Sequence, residues 1–248
     1  MENHIEKIVQ WLRKRTEEAG AKGLLVGVSG GLDSAVVANL IKRAYPEDGL
    51  GVIMPIHTSD KNIQDAIDVT KACEINEMTI DLTETHTMMY RQITEKLKVQ
   101  SRFSEEQDKL ANANLRARLR MSSLYTLAAH HNYLVVGTDN ASEWYTGYFT
   151  KYGDGGVDIL PLVEFTKTEV REMARILNVP ERVVSKVPSA DLWEEQDDET
   201  EMGVSYNVID AYLKGETISN TDKDLIEQMH RRTNHKRDSI PSFKRNNN

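Results

Sequence analysis

A short segment near the N-terminus combines a buried strand, a glycine turn and a helix start, and it constrains the fold more than any other part of the chain. Residues 24–28 read Leu-Leu-Val-Gly-Val, an apolar run that is too short for a helix and is typical of a strand buried on both faces. The apolar spacing of an amphipathic helix follows from Ala35. A strand that leads directly into a helix is half of a βαβ unit, which predicts a parallel sheet.

The turn between these two elements, residues 29–34, reads Ser-Gly-Gly-Leu-Asp-Ser. Two adjacent glycines let the backbone turn tightly and bring its N–H groups close to a ligand, while Asp33 or Ser34 can cap the helix, whose positive end faces the same ligand. The pattern is neither Walker A, since no Gly-Lys-Ser/Thr follows, nor the dinucleotide fingerprint, since the glycines are adjacent. We predict a phosphate-binding loop, and the alternative is a plain glycine turn in an ordinary βα unit.

Helical and strand patterns alternate along the rest of the chain. This alternation predicts an α/β protein with a doubly wound, mostly parallel sheet flanked by helices, which is a Rossmann-like fold. We expect one domain over residues 1–248. An acidic stretch without apolar periodicity predicts a mobile loop at about 190–202, either a lid or a merely solvated loop. Helices are expected over about 3–19, 35–44, 61–73, 84–97 and 105–130, and strands over 24–28, 50–54, 78–82 and 133–137.

Composition excludes several classes of protein. A chain of 248 residues, 39% apolar and 28% charged, can bury a sizeable core. Its formal charge of −8 argues against nonspecific binding to nucleic acid or to an anionic membrane. Cys73 is the single cysteine, which excludes an internal disulfide and a cysteine-built metal site. No apolar run approaches membrane length and the N-terminus lacks a signal-peptide core, so we expect a cytoplasmic protein.

A second polar segment follows the last expected strand. Residues 137–143 read Gly-Thr-Asp-Asn-Ala-Ser-Glu, and a glycine-rich loop at 151–156 comes next. A doubly wound sheet binds ligands where its strands end, so this segment and the 29–34 turn are expected to share one site. Mg²⁺ takes one or two carboxylates together with phosphate oxygens and water. Glu143 is therefore the expected second carboxylate for a magnesium ion shared with Asp33.

Residues 29–34 resemble the pyrophosphate loop of the N-type ATP pyrophosphatases, which have an adenine nucleotide alpha hydrolase-like fold. With the later motifs included, the chain is similar to the NAD⁺ synthetase family in particular. The resemblance covers nearly the whole chain. The matching segments are Gly-Thr-Asp at 137–139 with Glu143, Thr-Gly at 146–147, residues 150–156, Leu-Pro-Leu at 160–162, Thr-Lys at 166–167, residues 188–192, residues 198–201 and His-Lys-Arg at 235–237.

This resemblance implies a role for each matching residue. It implies that Asp33 and Glu143 bind Mg²⁺ and that Asp33, Lys167 and Asp154 take part in catalysis. Asp154 would orient or deprotonate ammonium, or alternatively fix the glycine-rich loop. The family's threonine at position 189 is replaced by Ser189, which keeps the hydroxyl. The implied ATP contacts are Gly27, Val28, Ser29, Gly30, Gly31, Leu32, Asp33, Ser34, Thr138, Lys167 and Ser189, and the implied deamido-NAD⁺ contacts are Arg118, Lys151, Asp158, His235 and Lys236.

The implied reaction is an amidation in two steps. The nicotinate carboxylate of deamido-NAD⁺ attacks the α-phosphorus of ATP and releases pyrophosphate, and ammonia then displaces AMP from the acyl adenylate. The length leaves no room for the amidohydrolase domain of glutamine-using relatives, so free ammonia is the expected donor unless a separate subunit supplies it. The family also implies a homodimer, with no nucleic acid or membrane as partner. The alternatives are a GMP synthetase-like or tRNA-modifying ligase and a non-catalytic adenine-nucleotide sensor.

Overall fold

The computed structural model describes residues 1–189 and 197–245. Within these ranges, four strands form one parallel sheet: β1 (Gly23–Gly27), β2 (Gly49–Ile53), β3 (Asn76–Thr79) and β4 (Tyr133–Val135). Their order is β3-β2-β1-β4. The chain therefore runs outward from β1 through β2 to β3 and then crosses back to β4. The strand order reverses between β1 and β4, and this switch point is where such sheets bind ligands.

Twelve helices lie in the described ranges. Most of them connect the strands or follow β4, as the alternation of patterns predicts. The helices are α1 (Glu2–Glu18), α2 (Leu32–Ala44), α3 (Asp60–Cys73), α4 (Thr83–Val99), α5 (Glu105–His131), α6 (Ala141–Thr146), α7 (Lys167–Ile176), α8 (Glu181–Val184), α9 (Asp198–Met202), α10 (Tyr206–Leu213), α11 (Asn220–Arg232) and α12 (Asn234–Arg237).

The sheet is buried on both faces, as its apolar β1 sequence requires. Leu24 and Val26 pack into a cluster with α1, α2 and α7, whereas Leu25 packs on the other face with Leu124 of α5. All three β1 side chains are fully buried. This arrangement confirms the α/β class and the doubly wound sheet, because helices cover both faces of a parallel sheet.

A smaller cluster lies beside the main sheet and joins the C-terminal helices to α6 and α7. Its buried members are Met202, Val204, Tyr206, Ile209 and Ile226. Helix α10 contacts both α6 and α7, and α11 contacts α6. The cluster therefore fixes α10 against the two helices that begin at the carboxyl edge of the sheet.

Two expectations about the elements differ from the structure. The strand expected over 78–82 is observed as β3, Asn76–Thr79. It is an edge strand with mostly exposed side chains, so the apolar run that suggested the strand lies partly beyond it, and Leu82 is the N-cap of α4. In the segment expected to be mobile, 190–196 lies outside the described residues and Asp198–Met202 forms α9.

Among the described helices, none is long and apolar enough to cross a membrane.

Candidate active site

A cavity of about 580 Å³ lies at the carboxyl edge of the sheet, between the loops that follow β1 and β4. It brings together nearly all of the residues predicted from the sequence. Asp158 and Gly30 are not among its described lining residues. The predicted residues that line it are Gly27, Val28, Ser29, Gly31, Leu32, Asp33, Ser34, Arg118, Thr138, Glu143, Lys151, Asp154, Lys167, Ser189, His235 and Lys236.

The predicted phosphate-binding loop forms one wall of this cavity. Ser29 and Ser34 hold the turn closed: the Ser29 N–H donates to the Ser34 Oγ at 3.2 Å, and the Ser34 Oγ donates to the Gly31 carbonyl at 3.1 Å. The expected cap on α2 is wrong, because the N-cap is Gly31 and none of the described side chains caps it. The first-turn residues of α2 line the cavity, and the Asp33 carboxylate does not cap its own helix but contacts other groups.

Gly30 is needed for the turn rather than for the cavity. Its φ is +77°, and a Cβ at this position would lie 2.8 Å from the backbone N of Ala66 in α3. A larger residue would thus be strained and would also collide with a helix backbone. Gly30 lets the loop lie directly on α3, so Gly30 itself faces α3 rather than the cavity.

The centre of the site is a buried lysine between two carboxylates. The Lys167 Nζ donates to Asp33 Oδ2 at 2.6 Å and to Glu143 Oε1 at 3.0 Å. The three residues come from the starts of α7, α2 and α6. Lys167 is only 4% exposed, so these ion pairs are shielded from water.

Asn140, which has no role in the sequence prediction, holds the two carboxylates together. Its Nδ2 donates to Asp33 Oδ1 at 2.9 Å, and its Oδ1 accepts from the N–H groups of Ser142 and Glu143 at 3.0 Å. The N–H of Asn140 donates in turn to Glu143 Oε2, which completes a capping box on α6. The pattern Asn-x-x-Glu is the signal that identifies this cap in the sequence.

The charges in this cluster are strongly coupled. Burial raises the pKa of Glu143 to about 7, and the negative charges of Asp33 and Asp198 act in the same direction against the opposing Lys167. Burial works to lower the pKa of Lys167, but Asp33 and Glu143 outweigh it and raise that pKa above its ordinary value. The ammonium group is therefore charged at neutral pH, whereas the Glu143 carboxyl group titrates close to neutral pH.

A tyrosine and an aspartate on α10 complete the cluster, although no sequence motif points to either residue. The Tyr206 hydroxyl lies 3.2 Å from both Glu143 Oε1 and Asp198 Oδ2, and the Lys167 Nζ lies 4.7 Å from the centre of the Tyr206 ring. Asp210 accepts hydrogen bonds at the start of α7. Residue type and helical spacing alone place both among ordinary core residues of an amphipathic helix.

The other half of the cavity is formed by the glycine-rich loop and the C-terminal helix α12. The Lys236 Nζ donates to the carbonyl oxygens of Gly147 at 2.7 Å and Phe149 at 2.5 Å. The Lys151 Nζ donates to the His235 carbonyl oxygen. These bonds fix α12 across the loop, so that two residues predicted from a distant part of the sequence reach the same cavity.

Two acids in this half have different surroundings. Asp154 lines the cavity, accepts from the Thr150 N–H at 3.0 Å, and has its pKa raised by burial. Asp158 instead accepts from the Tyr125 hydroxyl at 3.0 Å and from the Val135 N–H at 2.8 Å. Asp158 thus ties the loop to the end of β4, whereas Asp154 both holds its own loop and faces the cavity.

Asp139 is a buried acid that the sequence prediction did not use. It lines the cavity, is 4% exposed, and its Oδ2 has no hydrogen-bond partner among the described residues. Burial raises its pKa well above the ordinary value, and the charge of Asp154 adds to this effect. Asp139 directly precedes Asn140 and interacts electrostatically with Asp154 of the glycine-rich loop, so it belongs to both halves of the site.

The fold and the site together define an α/β nucleotide-binding protein. The sheet is doubly wound and parallel, a glycine turn precedes a helix at its edge, and a lysine lies between two carboxylates at the switch point. The family model described as NAD synthase matches residues 4–241. The chain therefore belongs to the NAD synthase family, which confirms the resemblance found in its motifs.

Individual relatives agree with this assignment. An NH(3)-dependent NAD(+) synthetase from Alkaliphilus oremlandii is 52% identical over 98% of both chains. Among solved structures, NMN synthetase from Francisella tularensis is 37% identical, with a TM-score of 0.89 over 97% of both chains. NH3-dependent NAD synthetase from Campylobacter jejuni is 25% identical, with a TM-score of 0.80 over 98% of this chain and 99% of that chain.

Proposed function

We propose that this chain catalyses the ATP-dependent amidation of deamido-NAD⁺ with ammonia, giving NAD⁺, AMP and pyrophosphate. Membership of the NAD synthase family supports a C–N bond-forming ligase, and the curated relatives are named for ammonia as the nitrogen donor. The observation that carries the proposal is the Lys167 Nζ, which lies between Asp33 and Glu143 beside the predicted phosphate-binding loop. That arrangement suits transfer between phosphate and carboxylate oxygens, which needs alignment and charge neutralisation rather than a protein nucleophile.

The ATP half of the site is proposed to be the loop from Gly27 to Ser34, with Thr138, Lys167 and Ser189 completing it. Backbone N–H groups at the start of α2 would bind phosphate oxygens. The charged Lys167 Nζ would stabilise negative charge that develops on the α-phosphate and on departing pyrophosphate. Its burial favours this role, because a charge interaction shielded from water is stronger than one at the surface.

Asp33 and Glu143 are also suited to bind a magnesium ion. The two carboxylates lie close together, since Asp33 Oδ2 and Glu143 Oε1 both contact the Lys167 Nζ, and carboxylate oxygens are the ligands that Mg²⁺ prefers. Among the described residues, no group of three or more His, Cys, Asp or Glu could hold a metal ion. A site with two carboxylates therefore relies on phosphate oxygens from the nucleotide. When bound, Mg²⁺ would polarise the phosphate oxygens and neutralise their charge.

The second half of the cavity is proposed to bind deamido-NAD⁺ through Arg118, Lys151, Asp158, His235 and Lys236. Asp154 is proposed to act beside the reacting groups by orienting or deprotonating ammonium, which its exposure to the cavity supports. Asp158 would act indirectly, through the end of β4, unless it exchanges its present bonds. We further propose a single domain over residues 1–248 and a homodimer.

A second candidate substrate is the mononucleotide that corresponds to deamido-NAD⁺. The specific reason is the structure named NMN synthetase, which overlies this chain with a TM-score of 0.89. Both substrates present the same nicotinate carboxylate to the same reaction. They differ only in the adenylate part, which the second half of the cavity would have to recognise.

One coupled assay tests the proposal. The purified chain is supplied with ATP, Mg²⁺ and ammonium, and with either deamido-NAD⁺ or nicotinate mononucleotide. We expect the amide product (NAD⁺ from the dinucleotide, nicotinamide mononucleotide from the mononucleotide) and AMP in equal amounts only when all components are present. We also expect a higher kcat/KM for the dinucleotide and little turnover with glutamine in place of ammonium. AMP formation without the nicotinate acceptor would contradict the amidation. A higher kcat/KM for the mononucleotide would replace the first substrate by the second.

A further inference from the structure

We propose that helix α10 positions the catalytic lysine and the second carboxylate through two buried side chains, Asp210 and Tyr206. This inference rests on the proposed function, because it gives Lys167 and Glu143 the roles described above. Neither α10 residue is among the described lining residues of the cavity. Both are therefore positioning residues, which act on the reaction only through the groups they hold.

Asp210 accepts hydrogen bonds from the first turns of both α6 and α7. Its Oδ1 accepts from the Ser142 Oγ at 2.6 Å and from the Lys167 N–H at 3.3 Å, and its Oδ2 accepts from the Thr168 N–H at 2.8 Å and the Thr168 Oγ1 at 2.6 Å. Ser142 directly precedes Glu143 in α6. One carboxylate thus fixes the starts of both helices that supply the central ion pair.

The chemistry of these four contacts requires a carboxylate. Each partner is a donor, and an ionised aspartate offers only acceptors. An asparagine would place an NH₂ group against either the Lys167 N–H or the Thr168 N–H. Asp210 is 3% exposed and Ser142 is fully buried, so water cannot easily replace the lost acceptor.

Tyr206 acts on the side-chain ends of the same pair. Its hydroxyl lies 3.2 Å from Glu143 Oε1, and its ring centre lies 4.7 Å from the Lys167 Nζ. Tyr206 and Asp210 are four residues apart and therefore lie on one face of α10. That face is turned toward α6 and α7, while Ile209 anchors the helix in the adjacent apolar cluster.

The arrangement explains why the small cluster of C-terminal helices is needed for the site. The Lys167 ammonium and the Glu143 carboxyl group lie at the ends of long side chains, and the distance between them depends on the relative placement of α6 and α7. Alignment of this kind determines the rate of a phosphoryl transfer more than the affinity for the nucleotide. A shift of either helix would therefore reduce kcat before it reduced ATP binding.

The test compares Asp210→Asn and Tyr206→Phe with Ile209→Val in the full chain. Ile209→Val is the matched control, because Ile209 lies on the same helix, is fully buried and contacts no site residue by a polar group. For each variant the melting temperature, kcat, the KM for ATP and the KM for ammonium are measured. Tyr206→Phe keeps the ring and so guards against the case in which Asp210→Asn does not fold.

We expect Asp210→Asn to lower kcat by about 10-fold or more, the usual effect of removing a residue that orients a catalytic group, with a much smaller change in the KM for ATP. Tyr206→Phe should lower kcat in the same direction, and Ile209→Val should lower only the melting temperature. Wild-type kcat in a folded Asp210→Asn, or in Tyr206→Phe if Asp210→Asn does not fold, would overturn the inference. A wild-type chain that makes no amide product would instead overturn the proposed function.

Discussion

Replacing Lys167 by methionine tests the central ion pair most directly. Methionine keeps an unbranched stem in the buried site but removes the ammonium that contacts Asp33 and Glu143. Loss of one preorganised donor to the transition state typically lowers kcat by about 10²–10³-fold, or roughly 3–4 kcal/mol. We therefore expect Lys167→Met to retain its fold and to lose turnover on this scale.

The same variant should change stability in a way that depends on pH. Breaking a buried ion pair by removing one partner costs about 3–5 kcal/mol when the remaining charges stay ionised. In the intact chain the pKa of Glu143 is already about 7, and Asp33, Asp198 and the Tyr206 hydroxyl are the other groups that face it. Without Lys167 that pKa rises further, because the largest opposing charge is gone.

The sign of the pH effect follows from proton binding. In Lys167→Met the folded state holds a proton on Glu143 that the unfolded state, with an ordinary glutamate pKa of about 4.3, has lost. The free energy of unfolding of the variant therefore continues to fall as the pH rises above 7. In the intact chain Glu143 is largely ionised above that pH, so it no longer makes the free energy of unfolding depend on pH. Urea unfolding with EDTA at pH 6 and pH 9 should show a larger deficit at pH 9. An equal deficit at both values, together with normal kcat, would refute the reasoning.

Three further changes test other parts of the site. Gly30→Ala should lower the free energy of unfolding by about 1–2 kcal/mol because of the positive φ, and by a further amount because the new Cβ would lie 2.8 Å from the backbone of α3. The control Gly20→Ala has a φ of +65° and no described atom within 4 Å of its Cβ, so it should show only the first loss. Equal losses of the two variants in urea unfolding would contradict this account. Glu143→Gln should raise the Mg²⁺ concentration needed for half-maximal rate, measured at fixed ATP, and an unchanged Mg²⁺ requirement would remove Glu143 as a ligand. Asp154→Asn should raise the KM for ammonium but not for ATP; a lower melting temperature with both KM values unchanged would show that Asp154 only fixes its loop.

The strand β1, the glycine turn and the helix α2 were predictable because their signals are local. The apolar run of β1, the double glycine and the following helix lie within about twenty residues, and each pattern predicts its local structure without reference to distant residues. The same local logic misplaced β3, because an edge strand lacks the burial on both faces that produces a clear apolar run.

Site residues with a chemical motif were also predictable, whereas those without one were not. The family resemblance named Lys167 and Glu143, and the cavity contains both. Asn140, Tyr206 and Asp210 were missed, since a capping asparagine, a core tyrosine and a helix aspartate are common in any α/β protein. Their importance comes only from the groups they contact.

The sequence by itself determined the class of the fold, the glycine turn between β1 and α2 and the chemical types present at the site, because these depend on residues close together in the chain. Tertiary structure decided which groups meet. Lys167 is 134 residues from Asp33, and Asp210 is 68 residues from Ser142. Such contacts follow from the crossover that places β4 beside β1 and from the packing of α10 on α6 and α7. No local pattern encodes those placements, since they are set by burial of the whole sheet and of the helices around it.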